Sequence, residues 1–148
     1  MKFSKKSRYG VTALIDLAVN SKNGHVALGS IAERNEISPQ YLEQVFASLR
    51  RAGIVKSVKG SQGGYLLKYP SSSITVASII QALEGTYYLD DEETKTEESA
   101  AGIAETIQEE IVDRVNHGLD QTLQNLTLAD LEESFQERQS GGQEMYYI

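Results

Sequence analysis

The spacing of the hydrophobic residues divides the first half of this chain into helices followed by a hairpin. Between residues 39 and 51 the large apolar positions repeat as on one face of a helix: Leu42, Val45, Phe46 and Leu49. Ser38 is a favourable helix cap and Pro39 suits the first helical position, so this helix is predicted to begin there. Gly53 is expected to terminate it, because glycine readily adopts the left-handed conformation that follows a helix.

A shorter helix is predicted just before it, over about residues 28–35. Ile31 and Ala32 would face inward, and Ile37 in the intervening turn would fill the space between the two helices. This is the spacing of a helix-turn-helix.

Residues 54–58 alternate and are rich in β-branched side chains, which predicts a strand. Residues 59–64 contain three glycines and form the predicted tip, and residues 65–68 return as the second strand. A hairpin placed after a helix-turn-helix predicts a winged helix-turn-helix, although a plain surface hairpin is the alternative.

The outward face of the helix that Pro39 begins is polar. At helical spacing it carries Gln40, Glu43, Gln44, Ala47 and Arg51. Gln and Glu side chains can hydrogen-bond base edges in a DNA major groove. The alternative is an ordinary amphipathic surface helix.

The charge distribution favours the DNA-binding interpretation of both features. Residues 1–70 hold eleven Lys and Arg against four Asp and Glu, a net charge of +7, whereas residues 71–148 carry −14. The overall charge of −7 therefore hides a basic module and an acidic body. Phosphate contacts are expected from Arg8, Arg50, Arg51 and the lysines, including Lys6, Lys56 and Lys59.

Ser7 is predicted to cap a first helix that runs to about Asn20. Its buried stripe would be Tyr9, Ala13, Leu14, Leu17 and Ala18. Lys5, Lys6 and Arg8 at its start could contact phosphates with help from the helix N-terminus, or could form a solvated basic end.

After the wing, Thr75 is predicted to cap a helix that Gly85 ends. Residues 86–101 include two runs of carboxylates and are interpreted as an acidic linker. Such carboxylates can also bind a hard cation, but the calcium-loop pattern is missing from this stretch.

The second half of the chain contains a long apolar stripe with a four-residue step: Ile103, Ile107, Ile111, Val115, Leu119 and Leu123. It predicts one helix of about 25 residues, roughly 37 Å long. A four-residue step drifts by about 40° each time, so the stripe should wind around the helix. We expect one part to cover its own domain and the other to pair with a second copy, in either order, forming a homodimer.

Thr127 and Asp130 resemble a capping box that starts a short last helix, with Leu131 and Phe135 facing inward. Residues 138–148 are predicted to be a flexible tail that ends in Tyr147 and Ile148. An apolar end on a flexible segment suits capture by a partner protein, or it can fold onto its own dimer.

Composition excludes several classes of function. The chain lacks cysteine, which removes thiolate-held zinc and iron–sulfur clusters, and we expect no cofactor. His25 and His117 are isolated and are interpreted as structural or exposed. No signal peptide, membrane span, catalytic triad or phosphate loop is recognisable, so a cytoplasmic protein that is not an enzyme is expected.

These motifs together resemble the IscR/CymR-type winged-helix regulators of bacteria, the "Rrf-two" family. The resemblance covers about residues 3–131 and is carried by Tyr41-Leu42-Glu43-Gln44, Gly63-Gly64-Tyr65, Ile74-Thr75-Val76, Glu84-Gly85 and residues 127–131. It implies a dimeric transcription factor on a pseudo-palindromic operator. By the resemblance, the major groove would receive Ser38, Gln40, Tyr41, Glu43 and Gln44, and the wing near the minor groove would consist of Lys59, Gly60, Ser61, Gln62 and Gly63.

The chain departs from the family pattern in two ways. Cluster-binding members have three cysteines where this chain has residues 88–100, and arginine is common where the wing has Lys59. The cysteine-free branch includes a repressor of cysteine metabolism whose C-terminus also ends in Tyr-Ile and docks on cysteine synthase. The resemblance therefore implies a repressor of cysteine or sulfur metabolism, or alternatively an adaptor whose tail docks on such an enzyme.

The expected fold is mainly α with a small β-hairpin wing and a long dimerisation helix. Four regions are predicted: a DNA-binding domain over residues 1–85, the linker, dimerisation helices over residues 102–137, and the tail.

Overall fold

The computed structural model describes residues 3–90 and 101–146. It contains, in order, helices α1 (Lys5–Asn20), α2 (Leu28–Asn35) and α3 (Pro39–Arg51), strands β1 (Val55–Val58) and β2 (Gly64–Leu67), a 3-10 turn (Ser71–Ser73) and helix α4 (Val76–Glu84). Helix α5 (Ala101–Ile107), a π-helical segment (Gln108–Asp113), helix α6 (Arg114–Asn125) and helix α7 (Leu128–Tyr146) follow. In the described part of the chain, none of the helices is long and apolar enough to cross a membrane.

One hydrophobic core joins α1 to α4 and the base of the hairpin. Its largest members are fully buried and come from five helices: Leu14 and Leu17 of α1, Ile31 of α2, Leu42, Phe46 and Leu49 of α3, Ile79 of α4 and Leu128 of α7. Gly10 permits the close packing of α4 on α1, because a Cβ there would lie 2.4 Å from Cδ1 of Leu83. The strands pair antiparallel, with Val55 opposite Leu67 and Val58 opposite Gly64.

Local capping signals fix most helix ends as the sequence predicts. Thr75 accepts a hydrogen bond from the Ser78 amide at 3.1 Å, and Gly85 follows α4 with a φ of 87°. The capping box before α7 is confirmed, because the Thr127 amide donates to Asp130 and the Asp130 amide donates back to the Thr127 hydroxyl.

Helix α1 begins earlier than predicted. Ser4, not Ser7, is its cap and accepts a hydrogen bond from the Ser7 amide at 3.3 Å. The Ser7 side chain is fully buried within the first helical turns, where its hydroxyl donates to Glu84 at 2.6 Å. The hydroxyl is therefore used in a tertiary contact rather than a local one.

The last helix is much longer than predicted. Helix α7 spans 19 residues and continues through Gly141 and Gly142, where a flexible tail was expected. Glycine costs only about 1 kcal/mol within a helix, and the neighbouring Gln and Glu residues favour helix. Phe135 is 38% exposed rather than buried, and it lines a groove of about 630 Å³ between α1 and α7.

Candidate nucleic-acid interface

Helices α2 and α3 form the helix-turn-helix, and the turn between them is sharply defined. Glu36 adopts the left-handed conformation with φ 53° and ψ 42°, and Ile37 is buried beneath the turn. Ser38 then caps α3 by accepting from the Tyr41 amide. Arg34 at the end of α2 donates to both oxygens of Asp16 on α1, at 2.7 and 2.9 Å, which holds α2 in place and raises the pKa of the arginine.

The exposed face of α3 carries the side chains predicted to read DNA bases. Gln40, Glu43 and Gln44 are all exposed, while the opposite face is buried in the core. Tyr41 is half-buried because its ring packs edge-to-face against Tyr9 of α1, with 5.6 Å between the ring centroids. The polar face of α3 is therefore exposed, on a helix whose opposite face is buried in the core.

The wing follows α3, and its glycines serve two different purposes. Gly60 has a φ of 128°, a backbone conformation that other residues rarely adopt. A Cβ on Gly63 would lie 2.5 Å from the Val58 carbonyl oxygen, and one on Gly64 would lie 2.4 Å from that of Val26. Gly63 and Gly64 therefore allow close approach within the protein itself. Lys59, Ser61 and Gln62 are exposed at the tip.

The predicted phosphate-binding side chains surround these two elements. Arg50, Arg51 and Lys56 are exposed on the last turn of α3 and on β1. Arg51 also donates to the Ser48 hydroxyl at 3.3 Å. Arg8 is exposed near the start of α1 and its guanidinium lies 5.3 Å from the centre of the Phe3 ring.

The N-terminus of α1 already holds an anion, which the sequence did not indicate. The Glu84 carboxylate accepts hydrogen bonds from the hydroxyls of Ser4 and Ser7. These two hydrogen bonds, with smaller help from the Ser4 amide and the charge of Lys6, lower the pKa of Glu84. The side chains of Lys5, Lys6 and Arg8 remain the predicted phosphate contacts at this end of α1.

The predicted dimerisation stripe lies along the long helix formed by α5, the π-helical segment and α6, and it has two parts that differ in exposure. The first four members are strongly exposed: Ile103 by 66%, Ile107 by 50%, Ile111 by 54% and Val115 by 43%. Leu119 and Leu123 instead pack against Val76, Ala77, Ile80 and Tyr87 of their own domain. The sequence left open which part of the stripe covers its own domain. In the structure it is the C-terminal part.

The π-helical segment changes the direction of the exposed part. In an α-helix, two residues four positions apart are related by a rotation about 40° larger than a full turn. A π-helix has more residues per turn, so each residue rotates less about the helix axis than in an α-helix. The π-helical segment Gln108–Asp113 therefore cancels much of that angular drift. Ile103, Ile107, Ile111 and Val115 consequently follow a straighter line than the winding stripe predicted from the sequence.

The segment predicted to begin the acidic linker is fastened to α6. Tyr87 is buried, and both its hydroxyl and that of Tyr88 donate to Asp120, at 2.5 and 2.7 Å. Burial is the main cause that raises the pKa of Tyr87, whereas the bond to Asp120 is the main cause for Tyr88. The two phenols in turn lower the pKa of Asp120. Tyr87 is thus part of a second small core, and Tyr88 is bonded to the same helix from the surface, while residues 91–100 lie outside the described residues.

Asn116 completes this attachment by bonding to the backbone of Leu89. Its side chain accepts from the Leu89 amide at 2.8 Å and donates to the Leu89 carbonyl at 3.4 Å. Tyr147 and Ile148, predicted to bind a partner, lie outside the described residues, so that prediction stays untested.

The chain and its fold match known bacterial regulators. A family model described as Rrf2, iron-dependent transcriptional regulator, covers residues 3–134. An HTH-type transcriptional regulator of Haemophilus influenzae is 41% identical over 133 residues, which are 88% of this chain and 86% of that protein. IscR of Klebsiella pneumoniae is 50% identical over 84 residues, so the match spans 57% of this chain and about half, 52%, of that relative.

Two solved structures share the fold. The global cysteine regulator CymR of B. subtilis has a TM-score of 0.77 at 36% identity, over 90% of this chain and 98% of that one. IscR of T. potens has a TM-score of 0.73 at 39% identity, over 94% and 91% of the two chains.

The residues that the structure describes offer no site for the iron named in the family description. The chain has no cysteine, and within residues 3–90 and 101–146 no group of three His, Asp or Glu side chains is placed to hold a metal ion. Tyr88, which begins the stretch matching the cluster ligands of other members, is instead bonded to Asp120. With this difference, the chain belongs to the Rrf2 family of DNA-binding transcriptional regulators, and the winged-helix fold expected from its motifs is confirmed.

Proposed function

We propose that this protein is a dimeric repressor that binds a pseudo-palindromic operator in double-stranded DNA. The observation that carries the proposal is the exposed polar face of Gln40, Glu43 and Gln44, supported by a buried apolar face on the same helix. Amide and carboxylate side chains of this kind can pair with adenine and cytosine edges in the major groove. Repression follows sterically, because a protein seated on an operator blocks the polymerase.

The surrounding cations supply affinity without sequence information. Arg50, Arg51, Lys56 and Lys59 are exposed around α3 and the wing, and each phosphate contact displaces counterions from the DNA. Phosphate contacts fix the register of the protein, whereas the base contacts of α3 select the sequence.

The dimer is supported by the exposed apolar stripe of Ile103, Ile107, Ile111 and Val115. A straight line of four large apolar side chains is costly in water and suits the same line on a second copy, related by a two-fold axis. Such a dimer would place two α3 helices about one DNA turn apart, roughly 34 Å, on one face of the duplex.

The regulated process we propose is cysteine or sulfur metabolism. Support comes from the 36% identity to the global cysteine regulator of B. subtilis over 98% of that chain. Recovery of genomic DNA bound by the protein in cells tests this proposal, and enrichment of unrelated genes alone would refute it.

The division of labour on α3 is tested with two single substitutions. Gln44→Ala should lose discrimination at one base pair, about 1–3 kcal/mol, while binding random DNA as before. Arg50→Ala should weaken cognate and random duplexes alike and reduce the salt dependence of binding. Both are measured by fluorescence anisotropy on a recovered operator and on a scrambled duplex. Equal losses on both duplexes for the two variants would contradict the proposal.

A second function as a tail-docking adaptor is tested by removing the chain end. Helix α7 continues to Tyr146, directly before the two residues predicted to bind an enzyme. A variant lacking residues 146–148 should keep operator binding and lose cysteine synthase if the adaptor role exists. Unchanged binding to both would exclude it.

A further inference from the structure

The base of the wing is extended by a short piece of chain between α1 and α2. The Val26 amide donates to the Tyr65 carbonyl at 3.0 Å, and the Tyr65 amide donates back to the Val26 carbonyl at 2.9 Å. Val26 therefore acts as a one-residue third strand against β2. Gly64 makes this possible, since any Cβ there would collide with the Val26 carbonyl.

His25 stands next to this bridge and reaches the tip of the wing. Its Nε2 atom lies 2.5 Å from the Gln62 carbonyl oxygen. A carbonyl oxygen can only accept, so Nε2 must carry a hydrogen, either in the neutral Nε2–H tautomer or in the imidazolium form. The bond thus connects a fixed loop of the domain to residue 62 of the exposed tip.

The tip needs such a connection because little else holds it. Inside the tip, the Gly63 amide donates to the Gly60 carbonyl at 3.1 Å. No side chain in residues 3–90 and 101–146, apart from His25, is hydrogen-bonded to residues 59–63. Glycine-rich backbone has high conformational freedom, so an unfastened tip would spend much of its time away from one geometry.

We propose that His25 is a positioning residue for the wing, which holds Lys59 and the exposed backbone of the tip in the geometry that meets DNA phosphates. The proposal rests on the proposed DNA-binding function. His25 itself is assigned no contact with DNA. Because His25 already orders the tip in the free protein, less conformational entropy is lost when the wing binds DNA.

Two amide substitutions separate the hydrogen bond from the ring. The amide nitrogen of Gln extends about as far as Nε2 of histidine and can donate to the same carbonyl, whereas that of Asn stops near the position of Nδ1. His25→Gln should therefore restore the anchor, and His25→Asn is the matched variant that should not. Both preserve a polar, uncharged side chain on the same exposed loop.

The first measurement uses the free protein. Nitrogen-15 NMR of the wild type should show hydrogen on Nε2 of His25. Amide exchange at Gly63 should become about fivefold faster in His25→Asn, the equivalent of one hydrogen bond, and stay near the wild-type rate in His25→Gln. A wild-type ring with hydrogen on Nδ1 only, or equal exchange in all three proteins, would overturn the anchor.

The second measurement uses a random-sequence duplex, titrated at several KCl concentrations. His25→Asn should bind about threefold more weakly, with the salt slope smaller by about one ion as the Lys59 contact is lost. His25→Gln should match the wild type, and a His25→Gln defect equal to that of His25→Asn would overturn the proposal. Failure of the wild type to bind any duplex would instead overturn the proposed function, while the NMR measurement still decides whether the anchor exists.

Discussion

The front of the molecule, residues 3–85, and its rear, residues 101–146, differ in how much of their apolar surface is buried. Residues 3–85 bury most of their large apolar side chains, and Leu14, Phe46 and Leu49 are completely inaccessible in the main core. The first half of the long helix leaves Ile103, Ile107 and Ile111 at least half exposed. The front region thus covers most of its apolar surface within one chain, whereas the exposed line at the rear is the proposed contact with a second copy.

The front and rear regions also differ in charge. The basic front, with +7 over residues 1–70, exposes hydrogen-bonding side chains around α3 and the wing, as a nucleic-acid surface requires. The acidic rear exposes an apolar line, as a protein contact requires. Two surfaces with different chemistry can bind two different partners at once, and α6, packed on α4, connects them.

The largest effect is expected from the core of the front region. Phe46→Ala should lower the free energy of unfolding by about 3–5 kcal/mol, because the buried ring packs on other core residues and lies 4.7 Å from the Tyr65 ring. Urea denaturation measures this loss. Gln44→Ala, an exposed neighbour on α3, should change stability by less than about 0.5 kcal/mol. Similar losses in both variants would show that the front core is not the main source of stability.

The rear stripe should respond in association rather than in folding. Ile107→Glu combined with Ile111→Glu should weaken the dimer by about 100-fold or more, since two apolar side chains are replaced by charges at the proposed contact. Light scattering over a dilution series measures the dissociation, and circular dichroism checks that the helices remain. Thr106→Glu with Gln121→Glu adds the same charge at exposed sites off the stripe and should leave the dimer intact. A dimer equally weakened by the control would place the contact elsewhere.

The link between α1 and α4 should make the front region sensitive to acid. Because the folded state lowers the pKa of Glu84 below its usual 4.5, its stabilisation is present at neutral pH and is lost as the pH falls through the folded-state value. Glu84→Gln should cost about 1–2 kcal/mol at pH 7, from weaker hydrogen bonds to Ser4 and Ser7. The difference from wild type should shrink as the pH falls below 4.5, the usual pKa of the carboxyl group.

Urea midpoints at a series of pH values test this expectation. Glu137→Gln, at an exposed position on α7, is the matched control and should follow the wild-type curve. A Glu84→Gln deficit that stays constant or grows towards low pH would contradict the role of the carboxylate.

The smallest effect should come from the turn of the helix-turn-helix. Glu36→Gly should stabilise the protein by a few tenths to about 1 kcal/mol, because a left-handed residue without a Cβ is less strained. Thermal denaturation detects the change as a higher Tm. Glu33→Gly, within α2, should instead destabilise by about 1 kcal/mol. A lower Tm for Glu36→Gly would mean that its side chain stabilises the turn more than its backbone strains it.

Much of the fold was predictable because its signals are local. Ser38, Thr75 and the pair of Thr127 and Asp130 cap their helices through atoms three residues away, and Gly53 and Gly85 adopt positive φ where helices end. The buried face of α3 follows from its periodicity alone. The exposure of Gln40, Glu43 and Gln44 was predictable for the same reason, although their roles on DNA remain predictions.

What the sequence could not indicate involves residues far apart in the chain. The sequence pattern could not show that Glu84 bonds to Ser7, 77 positions away, that Asp120 holds Tyr87 and Tyr88, or that His25 reaches Gln62. A carboxylate, a histidine or a tyrosine looks the same in sequence whether it is solvated or bonded. The sequence contained only a weak signal for one of these contacts, because Glu84 belongs to the Glu84-Gly85 pair that resembles a family motif.

Signals within one or two helical turns predicted the order of the elements, most of the helix caps and the buried face of α3, and the opposite charges of the two halves can be counted directly from the sequence. Tertiary packing was needed to show which half of the long stripe packs on its own domain and which polar groups meet. Those outcomes depend on the shape of the assembled core, where the free energy of a contact is set by what else is already packed beside it.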